Sequence, residues 1–207
     1  MFYATADGHP GLALDPFKAI VSPRPIGWIS TVDRTGMHNL APYSFFAAIA
    51  SRPPMVLFSS EGWKDTVTAA AETGEFVVNV ATFDLKDAVN DSSAPLPRDR
   101  SEFPHVGLTP APCRLVRAPR VLEAAASLEC RVTEIFSPRT LDGTECGNQV
   151  VIGQVVGVHI AERCLTDGRF DVAKAAVIAR CGYSDFALAD HLFQMARPKG
   201  GGGDAST

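Results

Sequence analysis

Apolar runs and alternations divide this chain into many short extended pieces and few helices. Ile26 to Val32 is a nearly continuous apolar run, "DRTG" at 33–36 is polar, and "MHNLAPYSFF" extends again from Met37. This pattern predicts a hairpin, with Gly36 free to take a positive φ at its turn. Pro23 and Pro25 bias the residues before them away from helix. "PPMVLFSS" reads as a strand ending in two hydroxyls, "EGWKDTVTAAAETG" as a helix closed by Gly74, and "EFVVNVAT" as a buried strand.

"DLKDAVNDSSA" carries a second helical pattern. "PLPRDRSEFPHVGLTPAP" holds too many prolines and charges for a regular element and predicts a surface excursion. Three β-rich stretches follow: Arg120 to Leu122, Ser127 to Phe136 and Gln149 to Ile160. Short strands separated by turn signals predict a barrel, mainly β with a few helices. The Gly-rich "ARPKGGGGDAST" offers nothing to bury and is expected to be disordered.

The 207 residues, 46% of them hydrophobic, suffice for one domain with a sizeable core. A formal net charge of −4 leaves no basic surplus for a nucleic-acid partner. Five cysteines without a Cys-x-x-Cys pair fit reduced, buried thiols. No apolar run approaches a membrane span, and the N-terminus lacks the pattern of a secretory signal. The expectation is a cytoplasmic protein.

Candidate chemistry concentrates in two places. "KDT" (Lys64 to Thr66) stands where the helix begins, just after Ser59 and Ser60. Unpaired N–H groups and the positive end of the dipole favour an anion there; alternatively, Asp65 caps the helix and Lys64 is solvated. In the hairpin, Asn39, Ala41 and Tyr43 share a strand face, while Pro42 cannot donate to a ladder and marks an edge or bulge. Either a ligand meets the free backbone there or the barrel edge is merely kinked.

Neither His9, His38, His105, His159 nor His191 has metal-pair spacing, so no metal site is expected. Gly-x-Ser-x-Gly, Gly-x-Gly-x-x-Gly and Walker-type loops are absent. Hydroxyls, amides and one anion site without an acid–base constellation suggest a protein that holds a cofactor carrying its own chemistry.

"SPRPIGWIST", "NLAPYSFF", "WKDT", "FVVNV", "VVIGQVVGVHI" and "ARCGYSDF" occur in this order. Together they resemble the flavin reductase-like family with an FMN-binding split barrel, which includes flavoredoxins and reductase components of two-component monooxygenases. The resemblance runs from about Ile20 to Phe186. It implies a split β-barrel with Greek-key connections over 20–190, an N-terminal extension over 1–19 and a tail over 191–207. A homodimer with flavin near the subunit interface is also implied.

By position, Pro25, Trp28, Ser30, Thr31, Asn39, Ala41, Pro42, Tyr43 and Ser44 would line the ring and ribityl chain of FMN, with FAD as the alternative. Ser59, Ser60, Lys64, Asp65 and Thr66 would hold the phosphate. Implied too is hydride transfer from NAD(P)H to flavin, needing no catalytic acid or base, with electrons passing to free flavin, oxygen or a protein such as a monooxygenase. An electron carrier reduced by another protein, and a flavin binder without turnover, are the alternatives. Two departures stand out: Asn148 occupies a position where many such reductases have histidine, and "SSEGWKDT" lacks the arginine that relatives often have nearby. Cys181, beside Arg180, is either a reactive thiol or a small filler.

Overall fold

The structure is a computed structural model and describes residues 1–196 and Pro198. Most of the Gly-rich end expected to be disordered lies outside the described residues. Seven strands build one antiparallel sheet: β1 (Gly27–Val32), β2 (His38–Tyr43), β3 (Phe46–Ser51), β4 (Pro54–Glu61), β5 (Glu75–Val80), β6 (Ala126–Phe136) and β7 (Asn148–Ile160). Their order across the sheet is β2-β1-β5-β6-β7-β4-β3. Strands β2 and β3 are therefore opposite edges, yet only Ser44 and Phe45 lie between them in the chain. A link this short reaches only about 10 Å, so the sheet must curl until its edges nearly meet. The result is a half-closed barrel, as the turn-separated strands predict.

Residues pointing inward fill the curl. Tyr43, Phe58 and Phe76 form an aromatic row with ring centroids 4.9 Å and 5.3 Å apart, packed with Ile29, Val56, Val67, Val78 and Val151. All six residues of β1 are buried, because a second cluster covers its outer face. There Trp28, Leu40, Val89, Phe103, Val121 and Ile178 pack together beneath the segments that follow β5. Polar groups crossing this layer are matched. The Asn79 amide donates to the Trp28 carbonyl and Ser30 Oγ, while its oxygen accepts from Val121 N–H and Ser127 Oγ.

Helix α1 (Asp65–Thr73) packs across β1 and ends at Gly74 with φ +72°, as its sequence predicts. Gly36 likewise takes φ +92° in the β1–β2 turn. The short helix at Lys86–Asp91 matches the second helical pattern. Elsewhere the reading needs correction. The Pro-rich excursion contains a helix at Glu102–His105, capped by Ser101 Oγ and anchored by buried Phe103. The Arg120 stretch is a strand of two residues that pairs with Pro110–Ala111 outside the main sheet.

All five cysteines are free. Among the described residues no helix is long and apolar enough to cross a membrane. The end of the segment before residue 20 meets the body, since Ala19 lies so close to Gly182 that a Cβ there would fall 2.6 Å from the Ala19 Cα.

Gly153 on β7 makes room for the Phe76 ring, whose edge would lie 2.4 Å from a Cβ at that position. Gly153→Ala is expected to destabilise the fold by about 1–3 kcal/mol through overpacking. A lower urea midpoint with an unchanged slope is the measurement that checks it.

Candidate functional site

Two adjoining cavities open where β2, the start of α1 and the 92–102 segment converge. The larger holds about 510 Å³ and includes Asn39, Ala41, Pro42, Tyr43, Lys64, Asp65 and Thr66 in its wall. That brings half of the sequence-derived candidates together. The smaller, about 230 Å³, contains Ser44 and shares Pro42 and Ser93 with the first. Pro42 thus stands at the junction, on an edge strand where its missing N–H costs no central ladder bond.

At one end of the larger cavity, the chain enters α1 through Lys64, which adopts an extended conformation as N-cap. No side chain caps this helix. Asp65 does not serve as the cap considered from the sequence, for its carboxylate pairs with Arg98 Nε at 2.9 Å. First-turn N–H groups of α1 consequently lack an acceptor from within the helix. Together with the Lys64 ammonium they create a positive end suited to an anion.

Arg98 and Asp65 are both well exposed, so their pair contributes little to stability. What Arg98 does is neutralise a carboxylate that would otherwise oppose an anion at the helix start. Arg98 itself lines neither of the two cavities.

The wall beside this positive end is a hydrogen-bonded relay. Thr66 Oγ1 donates to Asn39 Oδ1 at 2.6 Å, and Asn39 Nδ2 donates to both Glu102 oxygens at 3.2 Å. Glu102 also accepts from the Leu40 N–H at 2.9 Å. Because a carboxylate only accepts, Glu102 fixes which way the Asn39 amide faces, and Asn39 in turn fixes the Thr66 hydroxyl. Burial raises the Glu102 pKa, with nearby Asp65 adding to the rise, against the Leu40 N–H and Asn39 amide that lower it.

Other candidates stand apart from both cavities. Pro25 is exposed in a short strand paired with Ala179. Trp28 is fully buried and donates from Nε1 to Ser92 Oγ at 2.9 Å. Ser30 donates to the Pro119 carbonyl, while Thr31 is buried with an unpaired hydroxyl. Adjacent Ser59 and Ser60 diverge as strand neighbours must. Ser60 is buried near Tyr43, whereas Ser59 accepts from Asn148 Nδ2 at 3.2 Å. Cys181 is half-buried, and its backbone carbonyl accepts from Arg24.

Sequence reasoning missed Glu102, Ser93 and Arg180. Glu102 sits in the stretch dismissed as irregular. The available signal was "SEF", a Ser N-cap followed by an acid and an aromatic. Arg180 reaches the smaller cavity and lies 4.4 Å from the Phe186 ring centroid.

Comparison with known proteins agrees with this architecture. Residues 21–173 match the model of the flavin reductase like domain. An uncharacterized protein of Halalkalibacterium halodurans is 34% identical over 183 residues, covering 86% of this chain and 87% of that one. The fold superposes on nitrilotriacetate monooxygenase component B from Bacillus cereus with a TM-score of 0.83 at 29% identity, covering 94% and 98% of the two chains. Flavoredoxin of Desulfovibrio vulgaris (Miyazaki F) shares the fold with a TM-score of 0.77 at 22% identity, over 97% of this chain and 100% of that one.

Removing the relay's carboxylate leaves the buried Leu40 N–H unpaired, so Glu102→Ala is expected to cost about 1–3 kcal/mol in denaturant unfolding. A carboxyl whose folded pKa is raised contributes stability below its ordinary value of 4.5 and loses it as pH rises through the folded value. The stability advantage of wild type over Glu102→Gln should therefore be greater in acid than at neutral pH, as paired urea titrations would reveal.

Proposed function

Since this chain belongs to the flavin reductase like family of flavin-related oxidoreductases, we propose that it binds FMN in the paired cavities and reduces it with NADH or NADPH. The observation that carries this reading is the uncapped start of α1, with Lys64 beside it, at one end of a two-lobed cavity. The residues present suit such a ligand. A positive end takes the phosphate, and a polar wall of Asn39 and Thr66 meets the ribityl hydroxyls. Beyond the Pro42 junction, a lobe of mixed lining, with Ile26, Val89 and Phe186 beside Ser44, Ser93 and Arg180, accommodates part of the ring system.

Lys64 and the first-turn N–H groups bind the phosphate by charge and by donated hydrogen bonds. Thr66 donates its hydroxyl hydrogen bond to Asn39, so its oxygen is left to accept from the ligand. Asn39, held by Glu102, is fixed before the ligand arrives, which limits the ordering cost of binding. Bound flavin supplies the two-electron chemistry itself. No residue of this chain is assigned as proton donor or acceptor for that step.

The Bacillus cereus relative is named as a monooxygenase component, which supports an oxygenase as recipient of the electrons. One observation favours a second reading, an electron carrier reduced by another protein. Asn148, where the family resemblance leads one to look for histidine, is engaged with Ser59.

Lys64→Ala should weaken FMN binding about fivefold, the worth of one exposed ion contact of about 1 kcal/mol. Riboflavin binding should change little; equal losses would place the phosphate elsewhere. Mixing the protein anaerobically with FMN and then with NADPH or NADH tests the activity. Rapid bleaching of the flavin band identifies the donor, and tight binding without bleaching by either selects the carrier.

A further inference from the structure

A second cluster of chemistry-bearing side chains lies among residues that line neither of the two site cavities. Cys113, Glu129 and His159 come from three separate parts of the chain: the segment before the Arg120 strand, β6 and β7. One ligand-capable atom from each, Sγ, a carboxylate oxygen and a ring nitrogen, lies within 4.8 Å of the other two. Glu129 is 1% exposed, and with His159 it lines a third cavity of about 620 Å³.

The cross-strand geometry lets these groups meet. Gly157 on β7 pairs with Glu129 on β6, and a Cβ there would fall 3.2 Å from the Glu129 carboxyl carbon. With no side chain in the way, Glu129 lies over Gly157 and reaches His159, Nε2 to Oε1, at 2.6 Å. Three backbone N–H groups hold the carboxylate from the other side: Arg114 on Oε1 at 2.9 Å, and Leu115 and Val116 on Oε2 at 2.6 Å and 3.1 Å. Outer hydrogen bonds of this kind orient metal-ligating carboxylates.

We propose that Cys113, Glu129 and His159 form a binding site for a divalent cation of the zinc class, with water as the fourth ligand. Sulfur, nitrogen and oxygen donors together suit such a borderline metal, and three protein ligands with one open position are a recurrent arrangement for it. Direct His159–Glu129 contact is the metal-free state, in which a proton occupies the place of the cation. Bonds of about 2.0–2.2 Å to nitrogen and oxygen need those atoms roughly 3–3.5 Å apart in a tetrahedral site. The pair must open by less than about 1 Å, and Cys113 must turn toward it.

Proton balance is simple. The Cys113 thiol releases its proton to solvent, and the neutral imidazole exchanges its Nε2 proton for one on Nδ1, so each cation displaces one net proton. One thiolate and one carboxylate neutralise a divalent charge, which removes net repulsion from Arg114 and Arg120 beside the cavity. The third cavity gives an entry path. Metal uptake would tie the 113–116 segment to the sheet through a ligand bond as well as through the present hydrogen bonds.

Equilibrium dialysis of the reduced, metal-free protein against zinc, with metal counted per chain, tests this inference. A cobalt(II) titration, read as a difference spectrum, reports thiolate-to-metal charge transfer independently of any flavin reading. One zinc per chain and a cobalt–thiolate band are expected. Both should be abolished in Cys113→Ser, and affinity should fall about a hundredfold in His159→Gln, while Cys146→Ser, altering an exposed thiol, keeps them. No uptake by the wild-type protein, a band that persists in Cys113→Ser, or one lost in Cys146→Ser would overturn the proposal. Because Cys113→Ser is nearly isosteric, it and the wild type decide the matter even where His159→Gln unfolds.

Discussion

Ser44 and Phe45 are the whole of the chain between the two edge strands, and this brevity constrains everything else. A sheet whose edges are joined by two residues cannot stay open, so strands far apart in hydrogen-bonding order are brought round a common interior. The interior accepts the row of Tyr43, Phe58 and Phe76 only because Gly153 leaves space for the last ring. The same closure sets β2 beside α1, so that a strand edge interrupted by Pro42 and a helix start without a cap face one space.

Polar groups inside this frame divide into two kinds. Asn79 and Ser30 are fully matched within the protein and fasten the second apolar cluster to β1. Asn79 uses all four hydrogen-bonding positions of its amide in this way. The Glu102–Asn39–Thr66 relay is matched on its protein side but borders a cavity. A buried polar network is stabilising only when every member has a partner. Positioning the relay against an open space therefore leaves cavity-facing lone pairs at a defined orientation and keeps the protein-facing groups satisfied.

Much of this was legible in the chain. Apolar runs bounded by Gly36 and Gly74 gave the hairpin and the helix end, because positive φ is a local requirement that a glycine announces. "KDT" and "NLAPYS" located the cavity wall for the same reason: Pro42 and a hydroxyl-rich helix entrance are local irregularities. Trp28, Ser30 and Thr31 show where local reading stops. A second cluster on the far side of β1, assembled from positions as distant as Phe103 and Ile178, makes Trp28 and Ser30 interior residues, while Thr31 faces the opposite side of the strand. Glu102 was hidden similarly, its partners being supplied by β2. Cys113, Glu129 and His159 have no sequence spacing to betray them, since strand pairing alone unites them.

The Arg98–Asp65 pair has one further consequence. Its charges are solvent-exposed and hence open to ionic screening, which acts over about 8 Å at physiological salt. Added salt screens the Lys64 ammonium and, by the same physics, loosens the arginine from Asp65, leaving a carboxylate of the cavity wall unpaired. Ionic strength thus sets the charge at the helix start through two exposed elements, the Lys64 ammonium and the Arg98–Asp65 pair, and not through the lysine alone.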